Sequence, residues 1–166
     1  YIDNCDECDD TYTTDCVDLT FDLSIGANLI SFPALPEDKS VESIFATLGN
    51  NTGIMGEGLG AIKINDNWIG SLTLISQDDG YWVKVTSASE LSVNDADPVN
   101  YDSDGEVIYN MHQGNNLISY SFQSSQSIVD ALGDAAANVY AIAGAASAAL
   151  YSPINDGEDG DGWVGS

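Results

Sequence analysis

Apolar residues in this chain fall in short alternating runs rather than in long helical stripes. Leu19 to Leu23 alternates with Thr20 and Asp22 and predicts a strand, and Asn28 to Phe32 predicts a second after a turn at Gly26. Pro33 and Pro36 break the pattern. Ser40 stands where it can cap a short helix over Val41 to Leu48, with Glu42 in the first turn and Gly49 at the end. Ile44, Phe45 and Leu48 would face the core. The run Gly56-Glu57-Gly58-Leu59-Gly60 reads as a loop. Ala61 to Ile64, the turn Asn65-Asp66-Asn67 and the residues from Trp68 onward read as a hairpin. Tyr81 to Val85 follows the turn Asp78-Asp79-Gly80 and has the look of a central strand, and Leu91 to Val93 closes the pattern. Alternation sends Tyr81 and Trp82 to opposite faces, so one of them belongs to the core.

The same pattern then occurs again. Gly26-Ala27-Asn28-Leu29-Ile30-Ser31-Phe32 returns as Gly114-Asn115-Asn116-Leu117-Ile118-Ser119-Tyr120, Ile44 to Gly49 as Ile128 to Gly133, and Trp68-Ile69-Gly70-Ser71 as Trp163-Val164-Gly165-Ser166. Three blocks in one order mark a duplication. The expected fold is mainly β (a β-rich α+β chain) with two tandem homologous small units, each antiparallel β with one short helix. Residues 1–18 form a Cys/Asp-rich linker, 19–94 the first unit, 95–106 an acidic linker and 107–166 the second unit. Ile64 and Trp68 are 4 positions apart while Tyr151 and Trp163 are 12 apart, so the second hairpin tip carries a Gly/Asp-rich insertion. The second unit shows no counterpart of Tyr81 to Val93 and is C-terminally incomplete as it stands. A missing core strand leaves an apolar edge, which is expected to be covered by continuation of the chain or by a strand from a neighbour.

Charge narrows the function classes. Across 166 residues, 27 Asp and Glu face 3 basic residues, Lys39, Lys63 and Lys84, for a net charge of -24. Nucleic-acid binding loses its clustered cations, and docking to an anionic bilayer loses its basic patch. No run approaches the roughly 18 apolar residues of a membrane span, so no membrane insertion is expected. The single histidine, His112, has no Gly-x-Ser-x-Gly context and reads as a surface residue at a strand end. The acids sit mostly in turns rather than in a cleft, and the chain is expected to be non-catalytic.

Two kinds of site remain. Hard cations need several converging oxygens, and three acidic segments are dense enough to supply them. Their candidate calcium ligands are Asp3 and Asp6, Asp102 and Asp104, and Asp156, Asp159 and Asp161. A solvated acidic turn is the plainer reading of each. Cys5, Cys8 and Cys16 fit an extracellular disulfide segment better than a zinc site, which wants four ligands; the pairing is open. Trp68, Trp82 and Trp163 are candidates for stacking on a sugar. The equivalent repeat positions of Trp68 and Trp163 argue for packing instead.

The order Gly-Ala-Asn-Leu-Ile-Ser-Phe-Pro, Leu-Pro-Glu-Asp, Gly-Glu-Gly, Trp-Ile-Gly-Ser-Leu and Gly-Tyr-Trp-Val-Lys-Val resembles a tandem module of large secreted or surface proteins of marine bacteria. Similar modules occur in structural proteins of their phages. The resemblance covers about Phe21 to Ser166 and implies an extracellular, cell-surface or virion location. It carries no catalytic residues. The expected function is a structural or adhesive module of a larger surface, fibre or virion assembly, stiffened by calcium, whose partners are copies of itself or neighbouring modules. The alternative is a carbohydrate-binding module that reads a glycan through exposed Trp and Tyr.

Overall fold

The computed structural model of the chain describes residues 16–98, 108–121, 125–152 and 162–165. The fold is mainly β, and all strand pairs among the described residues are antiparallel. The chain divides into two compact units after Ser121.

The first unit has two sheets. One runs in the order β1 (Val17–Leu23), β8 (Ser89–Pro98), β3 (Ala34–Leu35). The other runs β2 (Gly26–Ser31), β7 (Gly80–Val85), β4 (Gly53–Met55), β5 (Gly60–Ile64), β6 (Asn67–Gly70). Helix α1 (Val41–Ile44) is capped by Ser40, whose Oγ accepts the Ser43 N–H at 3.1 Å. It is shorter than the expected Val41 to Leu48. Past Ile44 the bonds tighten to a three-residue step, from Ala46 N to Ser43 O and from Leu48 N to Phe45 O. Ile44, Phe45 and Leu48 are nevertheless buried as expected. The carbonyls freed at this helix end are taken by a buried cation: Lys63 Nζ donates to Ala46 O at 3.1 Å and to Leu48 O at 2.7 Å.

Aromatic rings tie the parts together. Phe32 sits edge-on to Phe21 at 5.3 Å and to Phe45 at 5.9 Å, and lies 6.1 Å from Tyr81. Such offset contacts add to the burial of the rings themselves. The hairpin tip is tighter than expected. Asn65 and Asp66 both take positive φ, 50° and 63°, as a two-residue turn with matching strand twist requires, and Asn67 already belongs to β6.

Strand β8 corrects both expected linkers. Val17 and Asp18 lie in β1 rather than in the first linker, and Asp95 to Pro98 continue β8 rather than opening the second. The register steps from Leu19↔Val93 to Val17↔Ala96, so β8 carries one extra residue opposite Asp18. Asp95 takes φ 52° there, and its N–H donates to Asp18 Oδ1 at 3.2 Å. That bulge shifts the alternation, placing Leu91, Val93 and then Ala96 in the core. Beyond it, Asp97 and Pro98 pair with Leu35 and Ala34.

Residues 108–121, which the repeat assigns to the second unit, group with the first. Ile118 bridges Asp79, Gly80 N donates to Leu117 O at 2.9 Å, and Ser119 N donates to Asp78 O at 3.0 Å. The physical reason is an open edge: residues 78–80 lie at the start of β7 and offer backbone groups to a second strand.

The second unit contains helix α2 (Ile128–Leu132), a 3-10 helix (Gly133–Asn138), and a sheet in the order β11 (Trp163–Gly165), β10 (Ala148–Tyr151), β9 (Ala141–Ala143). Its cap and its three-stranded meander repeat those of the first, strand for strand. Ser127 caps α2 through the Asp130 N–H at 3.1 Å, as Ser40 caps α1. Caps in register make Val41 the counterpart of Ile128, three residues off the alignment of the sequence blocks. Trp163 pairs with Tyr151 as Trp68 pairs with Lys63. Tyr151 therefore answers to Lys63 rather than to Ile64, and the inserted tip is one residue shorter than the spacing implies.

Candidate interaction surface

The two sheets of the first unit present opposite outer faces. On the β1–β8 side the outward positions are Asp18, Thr20 and Asp22 facing Glu90, Ser92 and Asp95, with Asp22 directly across from Glu90. This face is polar and acidic. A shallow, open depression of about 350 Å³ lies at its end, lined by Asp22, Ser24, Ser89 and Glu90.

The five-stranded sheet differs. Its inward positions are Tyr81, Val83 and Val85 on β7, Ile54 on β4, and Ala61 and Lys63 on β5, all buried. Its outward positions follow from the register. Leu29, Trp82, Met55 and Gly60 form one row, and Ala27, Lys84, Gly53, Ile62 and Ile69 the next. Ile64 extends the patch. Met55, Ile62, Ile64, Ile69 and Trp82 are all exposed. No strand position of this face carries a carboxylate, and its one charge is Lys84. In a chain of charge -24 such a face is conspicuous, and a contiguous exposed apolar patch marks an interaction site.

The tryptophans separate accordingly. Tyr81 is 1% exposed and Trp82 is 37% exposed, as alternation requires. Trp68 turns inward, 6.1 Å from Phe45, with Lys63 Nζ 5.9 Å from its ring centroid and its indole nitrogen buried without a partner. Trp163 is buried against Tyr151 at 5.7 Å. Of the three candidate stacking residues, only Trp82 lies on an open face. The candidate calcium ligands Asp3, Asp6, Asp102, Asp104, Asp156, Asp159 and Asp161 lie outside the described residues, as do Cys5 and Cys8. Among the described residues no three metal-ligating side chains gather. The Cys16 sulfur lies 3.3 Å from Asp97 Oδ1, where β8 passes the start of β1.

A clasp that sequence reasoning missed joins the Gly-rich loop to residues 108–121. Glu57 Oε1 meets His112 Nε2, and Glu57 Oε2 accepts the Leu117 N–H at 3.0 Å. His112 Nδ1 lies 3.0 Å from Gln113 O. With an acceptor at each ring nitrogen, the imidazolium is favoured. The Gln113 carbonyl first, then Glu57, holds its pKa above the usual histidine value. Glu57 is lowered in turn, by His112 first and then by the Leu117 N–H. Nearby, burial raises Asp79, helped by the charges of Asp78 and Glu57. Burial also pushes the Tyr81 phenol up to about 12, and its oxygen accepts the Ser76 N–H at 2.8 Å. The only signal for the clasp in the sequence was the one acid among the loop glycines.

No protein-family model matches the chain, and no curated protein or solved structure matches it.

Proposed function

We propose that the chain is a non-catalytic structural or adhesive module of an extracellular or cell-surface assembly, a fibre or a virion surface, that associates with copies of itself or neighbouring modules. The observation that carries this reading is the carboxylate-free apolar outer face of the five-stranded sheet. The outer face of the β1–β8 sheet, by contrast, is acidic and repels its like. On the apolar face two modules can approach with little charge cost and bury apolar area. The duplicated architecture and the resemblance to tandem surface modules support the same reading. Calcium held by the acidic segments and a disulfide at Cys16 would stiffen the array.

The test is sedimentation of the chain against salt. Association through an apolar face on an acidic module strengthens as salt shortens the screening length from about 30 Å at 0.01 M to about 8 Å at 0.15 M. Ile69→Asp, which places a carboxylate on the face, is expected to abolish it. A chain that stays monomeric at every salt and concentration, alone and with neighbouring modules, would overturn the reading. Exposure of Trp82 favours a second reading, recognition of a glycan. Binding on a glycan array that is lost in Trp82→Ala would establish that instead.

A further inference from the structure

The two copies of the repeat agree where they form a meander and part at the opening motif. Ile54↔Ala61 corresponds to Ile142↔Ala149, and Ile62↔Ile69 to Leu150↔Val164. Even the turn is repeated: Gly56 N donates to Leu59 O at 3.0 Å, and Gly144 N to Ser147 O at 2.8 Å. The motif behaves otherwise. Leu29-Ile30-Ser31 lies in β2, opposite Trp82, Tyr81 and Gly80 of its own unit. Its second copy, Leu117-Ile118-Ser119, lies against Gly80, Asp79 and Asp78, in the repeat before its own. Gly80 therefore touches Ser31 of one copy and Leu117 of the other.

The place where the second copy lies is built to receive it. A Cβ on Gly80 would fall 2.8 Å from Ile118 O and 3.2 Å from Leu117 Cγ, so a side chain there would push the segment off. Glu57 Oε2 accepts the Leu117 N–H at 3.0 Å, and Ser31 Oγ accepts the Tyr120 N–H at 3.4 Å. The Gln77 carbonyl accepts both the Ser119 and the Ser121 hydroxyl, and the Gln77 side chain is held by Nε2 donation to Asp97 O at 2.9 Å. Those two serines are buried. Charge agrees with geometry. The chain has no carboxylate from Val107 to Val129. That stretch brings the chain's one histidine to a place edged by Glu57, Asp78 and Asp79, where His112 meets Glu57.

We infer that Glu57 and residues 77–80 form a docking site for the segment Leu117 to Ser121, and that two copies of the chain join by exchanging that segment, each placing its own on the other's site. The segment and the site come from different repeats. They meet through backbone, hydroxyl and carboxylate bonds that form equally within a chain or between chains. Exchange adds no carboxylate to the partner's surface, which matters in a chain of charge -24. The inference rests on the assembly reading for its partner, a second copy, and adds a contact distinct from the apolar face.

The experiment co-refolds two full chains, one carrying Asp79→Cys and the other Ile118→Cys, and maps disulfide-linked peptides by mass spectrometry. The bonds on either side make Asp79 and Ile118 a non-hydrogen-bonded pair. Cα atoms of such a pair lie about 4.5 Å apart, within reach of a disulfide. A link between positions 79 and 118 can then arise only between chains. It is expected at about 1 mM chain, where a second copy matches the effective concentration of a tethered segment, and to fall at least about fivefold on tenfold dilution. Where Asp79→Cys disturbs the site, wild-type chains answer the same question. Nitrogen-labelled and carbon-labelled copies are co-refolded, and a nuclear Overhauser contact from the Gly80 amide of one to the Leu117 methyl groups of the other is expected. That contact should vanish when Asp79→Cys and Ile118→Cys stand in one chain and are oxidised at low concentration before mixing, which locks each segment at home. Absence of both the interchain link and the interchain contact at about 1 mM, or a contact that survives the lock, would overturn the inference. Ile69→Asp separates the two readings. An interchain link that persists in Ile69→Asp, in a chain that salt never drives to associate, keeps the exchange and removes the apolar face. Salt-driven association that is lost in Ile69→Asp, with no link at any concentration, does the reverse.

Discussion

The meanders β4–β5–β6 and β9–β10–β11 share backbone pairing, turn geometry and even a required glycine, yet among the described residues only the first lies in an extended buried cluster. A Cβ on Gly70 would fall 2.1 Å from Gly60 O, and one on Gly165 would fall 2.3 Å from Ala148 O, so the last residue of β6 and of β11 needs to be glycine for the same close approach. Burial diverges because the first meander is covered. Strand β7 closes its edge, and Phe32, Phe45 and the β1–β8 sheet pack on its inner face. Local sequence is therefore enough to shape a three-stranded meander. Long-range partners turn that shape into stability.

The largest break in that comparison should come from shortening the paired isoleucines. Ile54→Ala opens a cavity in a closed core and is expected to cost about 2–5 kcal/mol. Ile142→Ala removes a half-exposed side chain and should cost about 1 kcal/mol or less. Unit-resolved hydrogen exchange reads both, and equal costs would mean that the second core is closed after all.

A smaller effect sharpens the comparison at the start of each repeat. Asn28 Oδ1 accepts the Ser24 N–H at 2.9 Å while its Nδ2 donates to Ser24 O at 2.8 Å and Gly26 O at 3.3 Å. Asn116 does the same with His112 and Gly114. Asn28 alone also reaches across to Val83 O on β7, at 3.2 Å. Asn28→Ala is expected to cost about 2 kcal/mol and Asn116→Ala about 1 kcal/mol, the difference being that cross-strand bond. Chemical denaturation of each variant measures it.

The smallest effect concerns the clasp. His112 has a raised pKa, so its contribution is complete below its unfolded value of 6.5 and fades as pH rises through the folded value. Glu57 is lowered, so its contribution is complete above 4.5 and fades as pH falls through its folded value. The clasp is therefore tightest between those two values and loosens on either side. An NMR titration should place His112 above 6.5 in the wild type and lower in Glu57→Gln. An unchanged histidine pKa would show that the Gln113 carbonyl alone sets it.

Much of this was written in the chain. The alternation at Leu19 to Leu23 and Tyr81 to Val85, the Ser40 cap and the Asn65-Asp66 tip each carry their own local physics. What escaped notice has equally physical causes. Strands β3 and β4 are two and three residues long and too short to show a period. The tail of β8 looked like a linker because the bulge at Asp95 slips the alternation and leaves acids on the solvent side. The segment after the acidic stretch was assigned by homology to the second unit. Homology fixes how a strand is shaped, but not which edge it joins. The outer apolar face needed the register, since Trp82, Met55 and Ile62 come from three separate strands.

The pairing of β1 with β8 has a mechanical consequence. Val17, at the start of β1, lies opposite Ala96, near the end of β8, so the chain enters and leaves this sheet at the same end. Once the contacts of residues 108–121 with Asp78, Gly80 and Glu57 have parted, tension along the polypeptide would load the ladder one rung at a time, peeling Val17, then Leu19, then Thr20 from their partners. A ladder loaded in shear would instead have to break its rungs together. Under pull this sheet would yield by stages and lengthen, absorbing a tug as a zip does rather than resisting it as a rivet.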